Sequence, residues 1–459
     1  MFDKLREQCG VVGLFGIEGA APLAVRALQA LQHRGQESAG LAVGDGERLR
    51  HLRGTGLVAD VCTRPALEPL TGDRAIGHVR YATAGTGTVE NAQPLLLQGH
   101  GGPLAVAHNG HLVNADALRE RLEASGALFG STTDTEVILH LVAREREGDL
   151  AARIVRALGA VEGAYSLVFL ARDRLLAVRD PSGFRPLVLG RRPDGAWMAA
   201  SETCALTAAA ASFVREVEAG ELVEIDAGGL RSHRLEKAAP PARCVFELVY
   251  FARADSDVFG RSVHAGRTAL GRRLARTSPA PADVVVAVPD SGVPAGLGFA
   301  HEAGLPFEHG VLRHSYERRT FIEPHDEGRA KAVREKLAVV PSVVRGRRVA
   351  VVDDSLVRGT TARHLVRLLR EAGAREVHLR IAAPPTRFPC FWGIDTPDPQ
   401  ELAATHHDAG GLARLFGADS LAYLPNTAMF EALDVPPDAF CDACFSGVPK
   451  VGALVPLGR

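Results

Sequence analysis

The chain lacks a charge excess of either sign: 53 Lys and Arg stand against 54 Asp and Glu, a net charge of −1 in 459 residues. That balance gives no global electrostatic case for nucleic acid or an anionic membrane as partner. No apolar run approaches the length of a transmembrane span. The opening residues MFDKLREQ mix charges and have no apolar core, so a secretory leader is not expected. Cysteine is sparse, seven residues at irregular spacing, which fits a reducing compartment, the cytoplasm, better than a disulfide framework. No convincing internal repeat is visible. What is present, 46% hydrophobic and 23% charged residues, is enough for two or three compact units. A boundary is expected at Leu235 to Arg243, where LEKAAPPAR puts charge and paired prolines between two apolar-rich regions.

The most informative stretch is Val349 to Thr361, VAVVDDSLVRGTT. Val349 to Val352 suit a strand buried on both faces of a parallel sheet, and Thr360 to Ala372 has helical spacing closed by Gly373. A loop between strand and helix presents backbone N–H groups and a helix N-terminus to an anion such as phosphate, with Gly359 allowing close approach. Asp353 and Asp354 suit hydroxyls or Mg2+ instead. A phosphorylated sugar needs both kinds of contact. A second apolar run, Asp283 to Val288, ends in Pro289-Asp290-Ser291-Gly292, and Val293 to Ala303 begins a helix.

The string around Asp353 resembles the phosphoribosyl pyrophosphate (PRPP) signature of type I phosphoribosyltransferases. The resemblance implies that Asp353 and Asp354 hold the ribose hydroxyls and help place Mg2+. It implies that Ser355, Arg358, Gly359, Thr360 and Thr361, within the Ser355 to Thr361 loop, cradle the 5-phosphate. Asp290, Ser291 and Gly292 would bind pyrophosphate, with the Ser291 hydroxyl near the metal.

Upstream the pattern is layered α+β: a strand at Leu104 to Ala107, helices at about Ala115 to Ala124 and Thr135 to Glu147, and a hairpin of Tyr165 to Leu170 with Leu175 to Val178 about ARDR. Cys9 stands in QCGVVGLFG. From there the segments CGVVGLFG, LQHRGQESAG, GHVRYATAG, AHNGHL and STTDTE resemble a class II glutamine amidotransferase domain, an N-terminal-nucleophile hydrolase. The chemistry needs Cys9 as the first residue of the mature chain, because an α-amine with a reference pKa of about 7.7 to 8.0 can act as general base. Residues 1–8 are thus expected to be a propeptide. The resemblance implies that the Cys9 thiolate attacks the glutamine amide, and that Asn109 and the Gly110 N–H form the oxyanion hole. Arg80 would grip the glutamine α-carboxylate and Asp134 its α-ammonium, with Arg34 a weaker candidate.

Cys244, Cys390 in FPCFWG, and Cys441 and Cys444 in FCDACFSG form a second constellation. Spacing alone leaves zinc and an iron-sulfur cluster open for an all-thiolate site. Cys62 and Cys204 are expected to be packed thiols. Along nearly its whole length the chain resembles the cluster-bearing branch of the glutamine PRPP amidotransferases, which implies a structural [4Fe-4S] cluster on those four cysteines. It also implies an αββα sandwich over 9–235, then an α/β phosphoribosyltransferase domain over 236–459 with a mostly parallel sheet.

That family makes 5-phosphoribosylamine from PRPP, glutamine and water, releasing glutamate and pyrophosphate. The polar segment Arg313 to Lys336 would be its mobile loop, matched at Tyr316, Arg319, Thr320, Phe321 and Ile322, with Lys336 or Arg334 toward pyrophosphate. Arg313 to Ser315, Asp326 and Ala338 depart from the family's loop pattern. A homotetramer and inhibition by purine nucleotides are further expectations of the resemblance. An amidotransferase with another acceptor should lack the double-acid signature, and a PRPP-binding regulator would not need Cys9, Arg80, Asn109 and Asp134 together.

Overall fold

The apolar runs of the first half are short and turn-bounded, and they fold into two stacked antiparallel sheets. A computed structural model describes residues 9–81, 88–99, 101–313, 337–392 and 399–451. One sheet has seven strands in the order Ser212–Glu216, Val188–Arg191, Trp197–Ala200, Gly10–Phe15, Arg74–Arg80, Ser38–Gly44, Leu49–Thr55. The other has six, in the order Gly229–Arg234, Glu221–Asp226, Arg174–Arg179, Gly163–Leu170, Gly102–Leu112, Leu95–Gly99. Val11, Ala42, Ile76, Ala107, Val168 and Val223 meet between the sheets and exclude water. Helices Ala20–Ala30 and Thr203–Ala208 cover the outside of the first sheet. Ala115–Ala124, Thr135–Arg144 and Leu150–Leu158 cover the second, so the layers are αββα. Leu150–Leu158 shows why: Asp149 caps it by accepting from Ala152 N at 2.9 Å, and Ala151, Ile154, Ala157 and Leu158 recur at helical spacing on the buried side.

In the second half four strands run parallel in the order Val284–Ala287, Arg348–Asp353, Glu376–Ile381, Ser420–Tyr423. Val352 faces the helices Val263–Thr277 and Val293–Ala303, whereas Val351 faces Thr360–Glu371 and Ala409–Phe416. A strand covered on both faces can be apolar at every position, which is why VAVV shows no alternation. Among the described residues no helix is long and apolar enough to cross a membrane.

Three expected elements differ in extent. The Gly102–Leu112 strand is longer than its apolar core because AHNGHL continues the ladder with Gly163–Leu170. The helix from Thr135 ends at Arg144, since Glu145 turns to φ −71°, ψ 118° where the charged run offers no face to bury. Thr360–Glu371 stops one residue early, with Ala372 as its cap and Gly373 at φ 95° beyond it.

Candidate active sites

Cys9 immediately precedes the central strand Gly10–Phe15, and its residue is only 6% exposed. Its thiol lies 3.8 Å from the Tyr81 carbonyl oxygen. Two residues on, Val11 N donates to Ser201 Oγ at 3.0 Å, and the same hydroxyl accepts from Asn109 Nδ2 at 3.4 Å. Ser201 thereby ties the strand carrying the candidate nucleophile to the strand carrying Asn109 and Gly110, across the two sheets. Gly110 has φ +151°, and a Cβ there would lie 1.9 Å from the Ala164 carbonyl oxygen, so only glycine fits.

Arg80 ends the strand paired with Gly10–Phe15, where Gly10 registers against Val79. Its side chain is buried, with Nη1 4.0 Å from Glu37 Oε2. Asp134 caps the Thr135–Arg144 helix and accepts from Leu112 N at 2.9 Å, which fixes it to the end of the Asn109 strand. His108 Nδ1 and His111 Nδ1 stand 3.8 and 3.7 Å from its two oxygens. Burial would raise the Asp134 pKa, but these imidazoles and the Leu112 N–H outweigh it, and the carboxyl is held well below the usual range. Asp134 is therefore an anion prepared for a cationic group.

Arg34, the weaker candidate for glutamine, commits its fork elsewhere. It donates to the Cys9 carbonyl oxygen and to Glu202 and Glu247. Sequence reasoning missed Ser201, Glu202 and Glu247. The only signal for the first two is a polar pair directly after the apolar strand Trp197–Ala200; Glu247 has none.

At the second site the strands Val284–Ala287 and Arg348–Asp353 run side by side, so Pro289–Gly292 and Asp353–Ser355 leave the sheet at the same carboxyl edge. In parallel sheets that edge is where ligands bind. A Cβ on Gly292 would sit 2.8 Å from Val288 O, 3.1 Å from Val352 O and 3.4 Å from Asp353 Cα, so glycine lets the two loops touch. Asp353 Oδ1 accepts from Asp354 N at 2.9 Å, and Asp354 Oδ1 accepts from Ser355 Oγ at 2.6 Å. Gly359 takes φ +84° as the cap of Thr360–Glu371, with Thr360 and Thr361 as the first helical residues. Arg358 donates through Nε to Glu401 Oε2 at 2.7 Å, and Arg313 Nη1 lies 3.0 Å from Asp290 Oδ2. The strands Val311–Arg313 and Leu337–Val339 pair antiparallel, bringing Arg313 opposite Leu337. The loop residues Tyr316, Arg319, Thr320, Phe321, Ile322, Asp326, Arg334 and Lys336, like residues 1–8, lie outside the described residues.

The four remaining candidate cysteines converge. Arg243–Cys244 pairs parallel with Phe440–Cys441, setting Cys244 against Cys441. Burial pushes the Cys244 thiol up to about 12, and Cys390 adds to the rise. Cys441 and Cys444 are raised in the same way, by burial first and then by the neighbouring thiols. Among the described residues no group of three or more His, Cys, Asp or Glu is arranged to hold a metal ion. Cys62 and Cys204 are buried in the outer core of the seven-stranded sheet, as packed thiols should be.

Comparison with known proteins gives consistent results. A model of the glutamine amidotransferase domain matches residues 78–208. The chain is 49% identical over 446 residues to a chloroplastic amidophosphoribosyltransferase of Glycine max, covering 97% of this chain and 78% of that one. A solved structure of the allosteric regulatory enzyme of purine biosynthesis matches with a TM-score of 0.91 at 43% identity, covering 96% of both chains. The glutamine PRPP amidotransferase of B. subtilis, complexed with ADP and GMP, matches at 0.90 and 43%, covering 96% of this chain and 97% of that one.

Proposed function

This chain belongs to the amidophosphoribosyltransferases, the glutamine-dependent pentosyltransferases of purine biosynthesis, and from that premise we propose which of its residues carry the two half-reactions. The units are 9–235 for glutamine hydrolysis and 236–459 for phosphoribosyl transfer, with residues 1–8 removed to expose the α-amine of Cys9. That amine takes the thiol proton, and the thiolate attacks the side-chain amide of glutamine. Asn109 Nδ2 and the Gly110 N–H stabilise the oxyanion. Ammonia leaves, and water cleaves the thioester to glutamate. Arg80 binds the α-carboxylate of glutamine and Asp134 its ammonium.

Asp290, Ser291 and Gly292 receive the pyrophosphate of PRPP, Asp353 and Asp354 its ribose hydroxyls, and Ser355 with Arg358 to Thr361 its 5-phosphate. Ser291, Asp353 and Asp354 are hard oxygen donors at one sheet edge and fit Mg2+, which when bound would offset the charge of the leaving pyrophosphate. Between the paired strands Val311–Arg313 and Leu337–Val339, the residues Tyr316, Arg319, Thr320, Phe321, Ile322 and Lys336 are our candidates for loop contacts with PRPP.

Cys244, Cys390, Cys441 and Cys444 hold a [4Fe-4S] cluster with a structural role. The parallel pairing that sets Cys244 against Cys441 supports this reading, and Cys thiolates are the ligands such a cluster takes. We further propose a cytoplasmic homotetramer that binds purine nucleotides, as the B. subtilis relative binds ADP and GMP.

The observation that carries the glutaminase assignment is Ser201, which holds the Cys9 strand and Asn109 together. The Cys9→Ala variant should lose glutamine-dependent phosphoribosylamine synthesis by at least about a thousandfold yet retain synthesis from ammonia. Loss of both, in protein with an unchanged thermal transition, would sink the division of labour.

A further inference from the structure

The Arg34 side chain is wholly buried and bridges three parts of the molecule. Nε donates to the Cys9 carbonyl oxygen at 2.9 Å. Nη1 donates to Glu202 Oε1 at 2.5 Å and to Glu247 Oε2 at 3.0 Å, and Nη2 donates to Glu247 Oε1 at 2.7 Å. Burial alone would lower the Arg34 pKa, but Glu247 and Glu202 raise it above its ordinary value, so the group is a fixed cation. Glu202 belongs to the sandwich and is itself held by Arg253 N and Ser256 Oγ at 2.9 and 2.7 Å. Glu247 begins the single π-helical turn Glu247–Phe251, just past the linker.

That turn is gripped from its other side as well. Arg267 donates through Nε to Leu248 O at 3.0 Å and through Nη2 to Ala252 O at 2.7 Å. One short turn thus stands between Arg34, which holds the backbone of Cys9, and Arg267.

We propose that Arg34 is a positioning residue for the Cys9 nucleophile, and that Glu247 makes its hold conditional on where the Glu247–Phe251 turn sits. The inference rests on Cys9 as nucleophile. The guanidinium is planar, so a shift of Glu247 rotates the plane that carries Nε, and the Cys9 carbonyl follows. A buried arginine cannot simply release a partner carboxylate, because an unpaired buried charge is strongly disfavoured. Displacement of the turn therefore reaches the nucleophile.

The test uses the full mature chain with Arg34→Lys, Glu247→Gln and Glu247→Asp, comparing glutamate release with and without PRPP and Mg2+ against synthesis from ammonia. Misplacing a reacting group can cost about a hundredfold, so kcat for glutamate release should fall by roughly that factor in Arg34→Lys and about tenfold in Glu247→Gln, with KM for glutamine within about twofold. Glutamate release should fall in both Glu247 variants, while ammonia-dependent synthesis stays within about twofold. A rise in KM at constant kcat would mean that Arg34 binds substrate, and a proportional fall of ammonia-dependent synthesis would mean a scaffold role only; either overturns the proposal. Cys9→Ala with glutaminase intact would instead overturn the nucleophile assignment on which it stands.

Discussion

Glu136 shows how a single carboxylate in the first half couples to pH. It accepts from Gly130 N at 2.8 Å and from Ser131 N and Oγ at 2.7 and 2.5 Å, which pins the loop before the Thr135–Arg144 helix and so the position of Asp134. Burial would raise its pKa, but His140, Ser131 and the Gly130 N–H bring it down to about 2. A depressed carboxylate contributes stability that is fully present above its unfolded value, about 4.3, and lost as pH falls toward its folded value. Glu136→Gln should therefore cost stability at neutral pH and flatten the acid limb between those two values. Denaturant titrations at a series of pH values read this directly; parallel curves for the two proteins would contradict it. At this scale the sequence singled out Cys9, Asn109 and Asp134 as candidates because each lies in a contiguous motif. The side-chain partners of Arg34 were not legible, because two of them, Glu202 and Glu247, lie 168 and 213 residues away.

At the scale of the element, the strand-loop-helix unit around Asp353 was legible almost to the residue. Its strand is apolar on both faces and its helix opens at a glycine that must take a left-handed conformation. Less visible was why that glycine is doubly constrained: a Cβ on Gly359 would lie 2.3 Å from Phe416 Cζ, on the helix Ala409–Phe416. Gly359→Ala should destabilise the protein by more than about 1 kcal/mol, since both the positive φ and the collision oppose it. It should also raise KM for PRPP without lowering basal glutamate release. Phe416→Leu shortens the ring, so in a double-mutant cycle it should return part of that loss with a coupling of roughly 0.5–3 kcal/mol. Strict additivity would show that the ring does not limit the loop.

At the scale of the whole molecule, the linker end of the second half meets its C-terminal end. The strand Arg243–Cys244 follows the linker and Phe440–Cys441 lies near the C-terminus, yet they pair directly. Cys441→Ser should reduce bound iron and sulfide together, lower the thermal transition and make the linker at 235–243 more sensitive to limited proteolysis. Unchanged iron and sulfide, or zinc in their place, would remove the cluster assignment.

The sequence by itself determined the αββα and parallel-sheet classes and marked out candidate site residues, because each is written in local periodicity or in a contiguous run of polar residues at a strand end. Only the tertiary structure decided that Ser201 joins the two sheets at Cys9, that Cys244 is set against Cys441, and that Arg34 and Arg267 grip one turn from opposite sides. These are contacts between side chains far apart in the chain, and a buried charge or thiol finds its partner through packing geometry, which no spacing along the sequence encodes.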